Sequence, residues 1–277
     1  MTSKNIEEEA LFFVKMHGLG NDFIIINLAD VKHGKDLSEL AINVSRRRLS
    51  IGCDQVIFYQ PIGANHYQML IYNQDGSVAK ICGNAMRCLT KLLHRLHEIQ
   101  DIKITVNGNV SDCHVISEDK ISVNIGRVSF HAPWMPDNHS LFHLLQNYDI
   151  APQDIVCADI GNPHLIIFKE LNDRDKTVVA HIIQDSNLFI DGININFAHI
   201  HNNDIYLKVW ERGVRDFTLA CGSGACASFA TALKLGFVKD MCNVIFDEGS
   251  LYIHRDDDNN IIMTGPASYV AHGGLYL

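Results

Sequence analysis

Apolar positions along the chain change their period several times, and the changes recur at a fixed distance. Phe23–Asn27 and Leu165–Phe168 are short, nearly continuous apolar runs that follow Gly-Asn pairs, the pattern of buried strands. Tyr67–Tyr72 and Ile205–Trp210 also predict strands. After Cys82-Gly83 and after Cys221-Gly222 the spacing becomes helical. Met86, Leu89, Leu92, Leu93 and Leu96 fall on one face, as do Ala227, Ala230, Leu233 and, approximately, Leu235, and both helices are expected to be largely buried. A hairpin then follows in each half: Ile102–Val106 with Val110–Val115, and Val244–Phe246 with Leu251–His254. Asn107-Gly108 is a strong two-residue turn signal. Ile121–Ile125 and Ile261–Thr264 add a further strand to each set.

The recurrence extends to individual residues. Gly20-Asn21-Asp22-Phe23 resembles Gly161-Asn162-Pro163-His164, and Gly52 with Asp54 matches Gly192 with Asn194. Tyr72-Asn73 matches Trp210-Glu211, Cys82-Gly83-Asn84 matches Cys221-Gly222-Ser223, and Gly108 matches Gly249. Five matches in one order, at offsets of 138 to 141 residues, indicate an internal duplication. The expected fold is α+β: two pseudo-symmetric domains, each a mostly antiparallel sheet or barrel wrapped around a central helix. Residues 1–128 with 268–277 would form one domain and residues 129–267 the other. Between them His131-Ala132-Pro133-Trp134-Met135-Pro136 excludes regular structure. The tail from Tyr269 can return to the first domain as an extra strand.

Composition narrows the classes. The chain has 277 residues, 47% hydrophobic and 20% charged, enough apolar mass for sizeable cores and too much for a disordered protein. A net charge of −9 argues against a nucleic-acid surface, and Arg46-Arg47-Arg48 reads as a solvated face. No apolar run reaches the length of a membrane span. The acidic start (Glu7-Glu8-Glu9) and the brevity of Leu11–Val14 do not fit a secretory signal, so a cytoplasmic location is expected. None of the eight cysteines forms a Cys-x-x-Cys pair, and free thiols are the working assumption. Cys53, Cys88, Cys113, Cys157, Cys226 and Cys242 read as core thiols, with Cys53 close enough to Gln55 to be reactive. Asp256-Asp257-Asp258 reads as a hairpin loop, not a calcium site, and the histidine pairs His94/His97 and His199/His201 lack a third ligand, so no metal is expected.

Cys82 and Cys221 hold the same place in each repeat, before Gly at the start of a buried helix. Unpaired N–H groups and the positive dipole end there stabilise a thiolate and bind carboxylates. The bland reading is two inert packed thiols. The sharper one is a pair of acid/base groups that face each other across one carbon. One removes a proton from a stereocentre and the other returns a proton on the opposite face, which is racemisation or epimerisation. No Lys sits in a pyridoxal-phosphate setting and no Gly-rich nucleotide loop appears, so cofactor-independent chemistry is expected.

At these residues the chain resembles the diaminopimelate epimerase family. The resemblance is carried by Lys15-Met16-His17-Gly18-Leu19-Gly20-Asn21-Asp22-Phe23, Gly52-Cys53-Asp54-Gln55, Asn73-Gln74-Asp75-Gly76-Ser77, Cys82-Gly83-Asn84, Gly161-Asn162-Pro163-His164, Glu211-Arg212-Gly213, Ala220-Cys221-Gly222-Ser223-Gly224-Ala225 and Met263-Thr264-Gly265-Pro266-Ala267. It implies Cys82 and Cys221 as the catalytic pair, with His164 and Glu211 supporting their protonation states. It implies substrate contacts from Asn21, Gln55, Asn73, Gly83, Asn84, Asn162, Asn194, Glu211, Arg212, Gly222 and Ser223. It implies a small zwitterionic substrate, a homodimer, and a role in lysine and cell-wall precursor synthesis. Ala85, Cys53 and Phe217 depart from the family's usual Gly, Phe and Glu at flanking positions. Competing readings are a racemase for proline or hydroxyproline, a non-catalytic binding protein that has kept the cleft, and a thiol hydrolase using one Cys with His164. The paired cysteines argue against the last two.

Overall fold

The structure is a computed structural model that describes residues 10–276. The acidic Glu7-Glu8-Glu9 segment lies outside them. The chain divides into two compact units, residues 1–123 with 265–277, and residues 124–264. The boundaries expected from sequence lie a few residues further along the chain in each case.

The first unit begins with β1 (Ala10–Gly18) and β2 (Asn21–Asn27). Helix α1 (Leu37–Ser45) follows, N-capped by Asp36, whose carboxylate accepts from Ser38 and Glu39 N–H. Next come β3 (Gln55–Gly63), β4 (His66–Asn73) and helix α2 (Gly83–His97). The meander β5 (Asp101–Val106), β6 (Asn109–Ser117) and β7 (Lys120–Gly126) closes the run. Asn107 and Gly108 both adopt positive φ, as the β5–β6 hairpin requires.

The second unit holds α3 (Asn138–Leu145), β8 (Ile155–Asp159), β9 (Pro163–Ile167) and α4 (Asp173–Gln184). Strands β10 (Asn194–His201), β11 (Asp204–Glu211) and the short β12 (Asp216–Thr218) precede helix α5 (Gly222–Lys234). Strands β13 (Met241–Phe246), β14 (Gly249–Arg255) and β15 (Ile261–Gly265) end it. The chain then returns to the first unit as β16 (Ser268–Tyr276), antiparallel to β1.

Each unit is a mostly antiparallel sheet, with two parallel pairings at corresponding places. In the first unit the order is β16-β1-β2-β3-β4-β5-β6-β7, parallel at β2–β3 and β4–β5. In the second it is β8-β9-β10-β11-β13-β14-β15, parallel at β9–β10 and β11–β13. β12 is an added strand beside β11. The pairing refines the repeat alignment. Phe23 faces Gln55 across β2–β3, and His164 faces Asn194 across β9–β10. Asn194 therefore answers to Gln55, not to Asp54 as the spacing of the glycines suggests.

The central helices are buried as expected, except at their ends: Leu96 is 54% exposed and Leu235 37%. In α2 every residue from Gly83 to Leu93 is buried, including Arg87 and Lys91. Both cations have carbonyl partners from the segment before β16. Arg87 Nε donates to Pro266 O at 3.2 Å, and Lys91 Nζ to Ala267 O at 2.9 Å. Helices α1 and α4 cover the other sheet faces. Leu40, Ala41 and Val44 pack with Ile24, Ile26, Val56 and Phe58, and Val179, Ala180 and Ile183 with Leu165, Ile167, Ile195 and Phe197. Trp134, in the irregular segment, is fixed by Nε1–H donating to Asp159 Oδ2 at 2.6 Å. Among the described residues no helix is long and apolar enough to cross a membrane.

Candidate active site

Cys82 and Cys221 are the N-caps of α2 and α5, each in extended conformation immediately before the first helical residue. Gly83 and Gly222 follow them, and neither places a side chain over the helix end. Cys221 is 8% exposed, and Cys82 is half-buried.

In the first unit the Cys82 surroundings are amides held by carboxylates. Asn21 Nδ2 donates to Asp54 Oδ2 at 3.0 Å. A carboxylate only accepts, so Asn21 Oδ1 is turned the other way, where it meets Asn84 Nδ2 at 3.2 Å and Cys82 Sγ at 3.9 Å. Asp54 is in turn fixed by Arg47, whose guanidinium bridges Asp54 at 2.7 Å and Asp22 at 2.8 Å. Lys15 adds a contact to Asp22 at 3.0 Å and donates to Gly52 O at 2.8 Å. Burial opposes the Asp22 charge, but hydrogen bonds from Arg47 and Lys15 outweigh it and hold the carboxyl below its usual range. Arg46, Arg47 and Arg48 are exposed, as expected of a solvated run, and Arg47 in addition clamps the two carboxylates. Gln55 Nε2 donates to Asn73 Oδ1 at 2.9 Å, and Asn73 Nδ2 donates to Ser77 Oγ at 3.0 Å. Asn84 Oδ1 is buried without a hydrogen-bond partner.

The second unit surrounds its thiol differently. Gly224 N–H donates to Cys221 Sγ at 3.4 Å, and Sγ lies 3.4 Å from Ser223 Oγ. Ser223 Oγ is 3.0 Å from His164 Nε2 and accepts from Asn162 Nδ2 at 3.1 Å. Asn162 Oδ1 lies 3.2 Å from the same His164 nitrogen. His164 is wholly buried, and burial lowers its pKa to about 4 against a smaller opposing contribution from Asn196. It is neutral at pH 7, so it takes part in this network as an imidazole with one donor and one acceptor. Asn194 is committed to backbone. Its Nδ2 donates to Pro163 O at 3.1 Å, and its Oδ1 accepts from Arg212 N–H at 3.2 Å. Glu211 Oε1 accepts from Thr218 Oγ at 2.7 Å, and the Arg212 guanidinium reaches Asp191 O at 3.4 Å.

Asn21, Asn84 and Cys82 thus form one cluster and Gln55 with Asn73 a neighbouring pair. Asn162, His164, Cys221 and Ser223 form another cluster, beside Asn194, Glu211 and Arg212. Sequence reasoning did not find Arg47 and Lys15 as clamps, nor Thr218, Asn196 and Ser228. Burial also bears on five of the other thiols. It pushes Cys53, Cys88, Cys113, Cys157 and Cys242 up to about 12, so Cys53 is an inert core thiol despite its closeness to Gln55. Among the described residues no group of three or more His, Cys, Asp or Glu is placed to hold a metal ion.

The fold is that of the proline-racemase and PhzF-type epimerases. A phenazine biosynthesis protein of the PhzF family from Bacillus anthracis superposes with a TM-score of 0.71 at 14% identity, covering 97% of this chain and 99% of that one. A hydroxyproline epimerase from Agrobacterium vitis gives 0.64 at 12% identity, covering 96% and 91%. Within that fold class the sequence is specific. The family model for diaminopimelate epimerase matches residues 13–131 and 156–270. Diaminopimelate epimerases of Rickettsia bellii and Rickettsia prowazekii are 52% and 50% identical over 264 residues, covering 95% of this chain and 97% of each relative. The chain belongs to the diaminopimelate epimerase family and is an isomerase.

Proposed function

We propose that the protein interconverts LL- and meso-diaminopimelate without a cofactor, using Cys82 and Cys221 as a thiolate/thiol pair. The observation that carries this reading is the placement of a cysteine at the N-cap of the corresponding helix in both copies of a duplicated unit. A single nucleophile has no use for the second copy. Inversion at carbon needs a base on one face and an acid on the other, and two thiols that exchange roles serve both directions.

The remaining residues suit a substrate charged at both ends. N–H groups at each helix start and the Arg212 fork receive carboxylates. Asn21, Asn73, Asn84, Asn162, Asn194 and Gln55 can donate or accept, and Glu211 can face an ammonium group. His164 and Ser223 adjoin Cys221 and bear on its proton. A role in lysine and peptidoglycan precursor synthesis, a cytoplasmic location and homodimeric assembly belong to the same reading and rest on the family resemblance.

The test is incubation of the purified protein with LL-diaminopimelate in deuterated water, without added cofactor. Formation of the meso isomer with deuterium at one α-carbon is expected. Exchange with proline or 4-hydroxyproline, and none with diaminopimelate, would overturn the substrate assignment.

A further inference from the structure

Behind Cys221 lies a line of wholly buried polar side chains that the duplication does not require. His164, Asn196 and Ser228 are each 0% exposed. In the first unit the corresponding places hold apolar residues. Ile166 faces Asn196 across β9–β10 as Ile25 faces Ile57 across β2–β3. Phe23 answers to His164 in the repeat, and Leu89 follows Cys82 by the same seven residues that separate Ser228 from Cys221. Phe23, Ile57 and Leu89 are also 0% exposed. A core that can be filled with hydrocarbon in one copy carries three hydrogen-bonding side chains in the other. Each must be satisfied, and their arrangement fixes directions.

The chain of donors and acceptors can be followed from a fixed point. Gly224 O is a backbone carbonyl and only accepts. Asn196 Nδ2 donates to it at 2.8 Å and to Ser228 Oγ at 2.9 Å. The amide cannot be turned over, because that would set its oxygen against the carbonyl. Asn196 Oδ1 therefore faces His164 Nδ1, at 3.1 Å, as an acceptor. Nδ1 must then carry the proton, which leaves Nε2 with a lone pair. Two groups face Nε2: Ser223, the one able to donate an O–H, at 3.0 Å, and Asn162 Oδ1 at 3.2 Å, an acceptor that receives no hydrogen bond from the ring in this tautomer. With its proton committed there, Ser223 Oγ turns a lone pair, not its hydrogen, toward Cys221 Sγ at 3.4 Å.

We propose that Asn196 is a positioning residue: anchored on the Gly224 carbonyl, it locks His164 as the Nδ1–H tautomer and so directs the Ser223 hydroxyl away from Cys221. The resting Cys221 is thereby held as the thiol, the acid of the pair. When it gives up its proton, the Gly224 N–H, already aimed at Sγ, remains as the donor to the thiolate. The neutrality of the buried imidazole supports this, since a protonated ring would have no lone pair for Ser223. The catalytic consequence rests on the two-cysteine reading above; the tautomer does not.

The experiment is nitrogen NMR on protein labelled with 15N-histidine, with the His164 signals identified by their loss in His164→Gln. A pyridine-type Nε2 and a pyrrole-type Nδ1 are expected near neutral pH. The Nε2–H tautomer, or an imidazolium, would overturn the proposal. Ser228→Ala should keep the Nδ1–H form, because the Gly224 carbonyl still orients Asn196; a switch of tautomer there would move the anchor to Ser228 and sink the assignment. Asn196→Leu keeps the approximate shape and should give mixed tautomers, with kcat lower by roughly tenfold and KM changed by less than about twofold, the worth of one ordered hydrogen bond. An unchanged tautomer in Asn196→Leu would refute the lock; if that variant does not fold, the wild-type and Ser228→Ala spectra decide. A wild-type protein that shows the Nδ1–H form but exchanges no diaminopimelate α-proton would count against the proposed function alone.

Discussion

The two helix starts, Cys82 and Cys221, share an extended backbone and differ in the side chains that orient the groups beside the sulfur. Around Cys82 the amides are oriented by charge: Asn21 is set by Asp54, which is set by Arg47. Around Cys221 orientation comes from neutral groups on buried backbone, through Gly224, Asn196, His164 and Ser223. A charged clamp can sit at the first site because Arg47 and Asp54 are partly exposed. At the second the polar groups are sealed in, where an unpaired charge would be costly and a neutral network is the affordable solution. The two copies thus hold equivalent thiol positions in unlike environments.

The harshest test of this comparison removes each sulfur in turn. Cys82→Ala and Cys221→Ala should each lower epimerisation by about 10²–10⁴-fold or more, because each takes away one of two proton carriers. Steady-state formation of meso-diaminopimelate measures it; near-normal turnover in either variant would mean that one copy alone does the chemistry.

The buried imidazole gives the second unit an acid sensitivity without counterpart at Phe23. His164 has a folded-state pKa of about 4, below the ordinary 6.5. The unfolded chain therefore binds the extra proton first as the pH falls. This contribution to stability is complete above about pH 6.5 and is lost progressively toward pH 4, on the order of 3 kcal/mol over the window. Denaturant unfolding between pH 7 and 4.5 should show the loss in the wild type and a flatter profile in His164→Gln. Parallel profiles would place the acid sensitivity elsewhere.

A smaller effect distinguishes the third helix residues. Ala85 sits in the first copy fully buried, whereas a Cβ on Gly224 would meet Val209 Cγ2 at 3.0 Å and both Asn196 Nδ2 and Cys221 Sγ at 3.3 Å. Gly224→Ala should cost about 1–3 kcal/mol through overpacking. Ala85→Gly should cost only about 1 kcal/mol, the helix propensity difference. Thermal denaturation of the pair gives the order, and equal losses would remove Gly224 from the packing argument. The smallest effect is expected from Thr218→Val, which takes a 2.7 Å hydrogen bond from Glu211. KM should shift by a few-fold, corresponding to about 1 kcal/mol, with kcat nearly kept.

Much of this comparison was legible before the structure. The repeat spacing and the Cys-Gly pairs at changes of period located both helix starts, because the glycines and the apolar phase are local properties of the chain. The hairpins at Asn107-Gly108 and near Gly249 followed from turn chemistry. What escaped were the strands β1, β3, β8, β10 and β12 and the helices α1, α3 and α4, which interrupt simple periodicity or depend on packing partners far along the chain. Arg87 and Lys91 broke the expected apolar face of α2, since their burial depends on the Pro266 and Ala267 carbonyls, more than 170 residues away. Asn196 was visible as a polar residue, but only the strand register shows that it stands where the first copy has Ile57, whereas the match of Ser228 to Leu89 follows from their equal spacing after the two cysteines. The one-residue difference between glycine spacing and register at Asn194 hid that correspondence.

The return of β16 to β1 also sets an order of assembly. Every residue of the second unit, from 124 to 264, is made on the ribosome before the strand that completes the first unit's sheet. The second unit is continuous in sequence, so all of its own residues have emerged before that strand does. The first must wait with β1 unpaired on that side and with Arg87 and Lys91 lacking the carbonyls of Pro266 and Ala267. The half synthesised first is therefore the half finished last, and during translation its open strand edge is the part of the nascent chain most in need of protection from other chains.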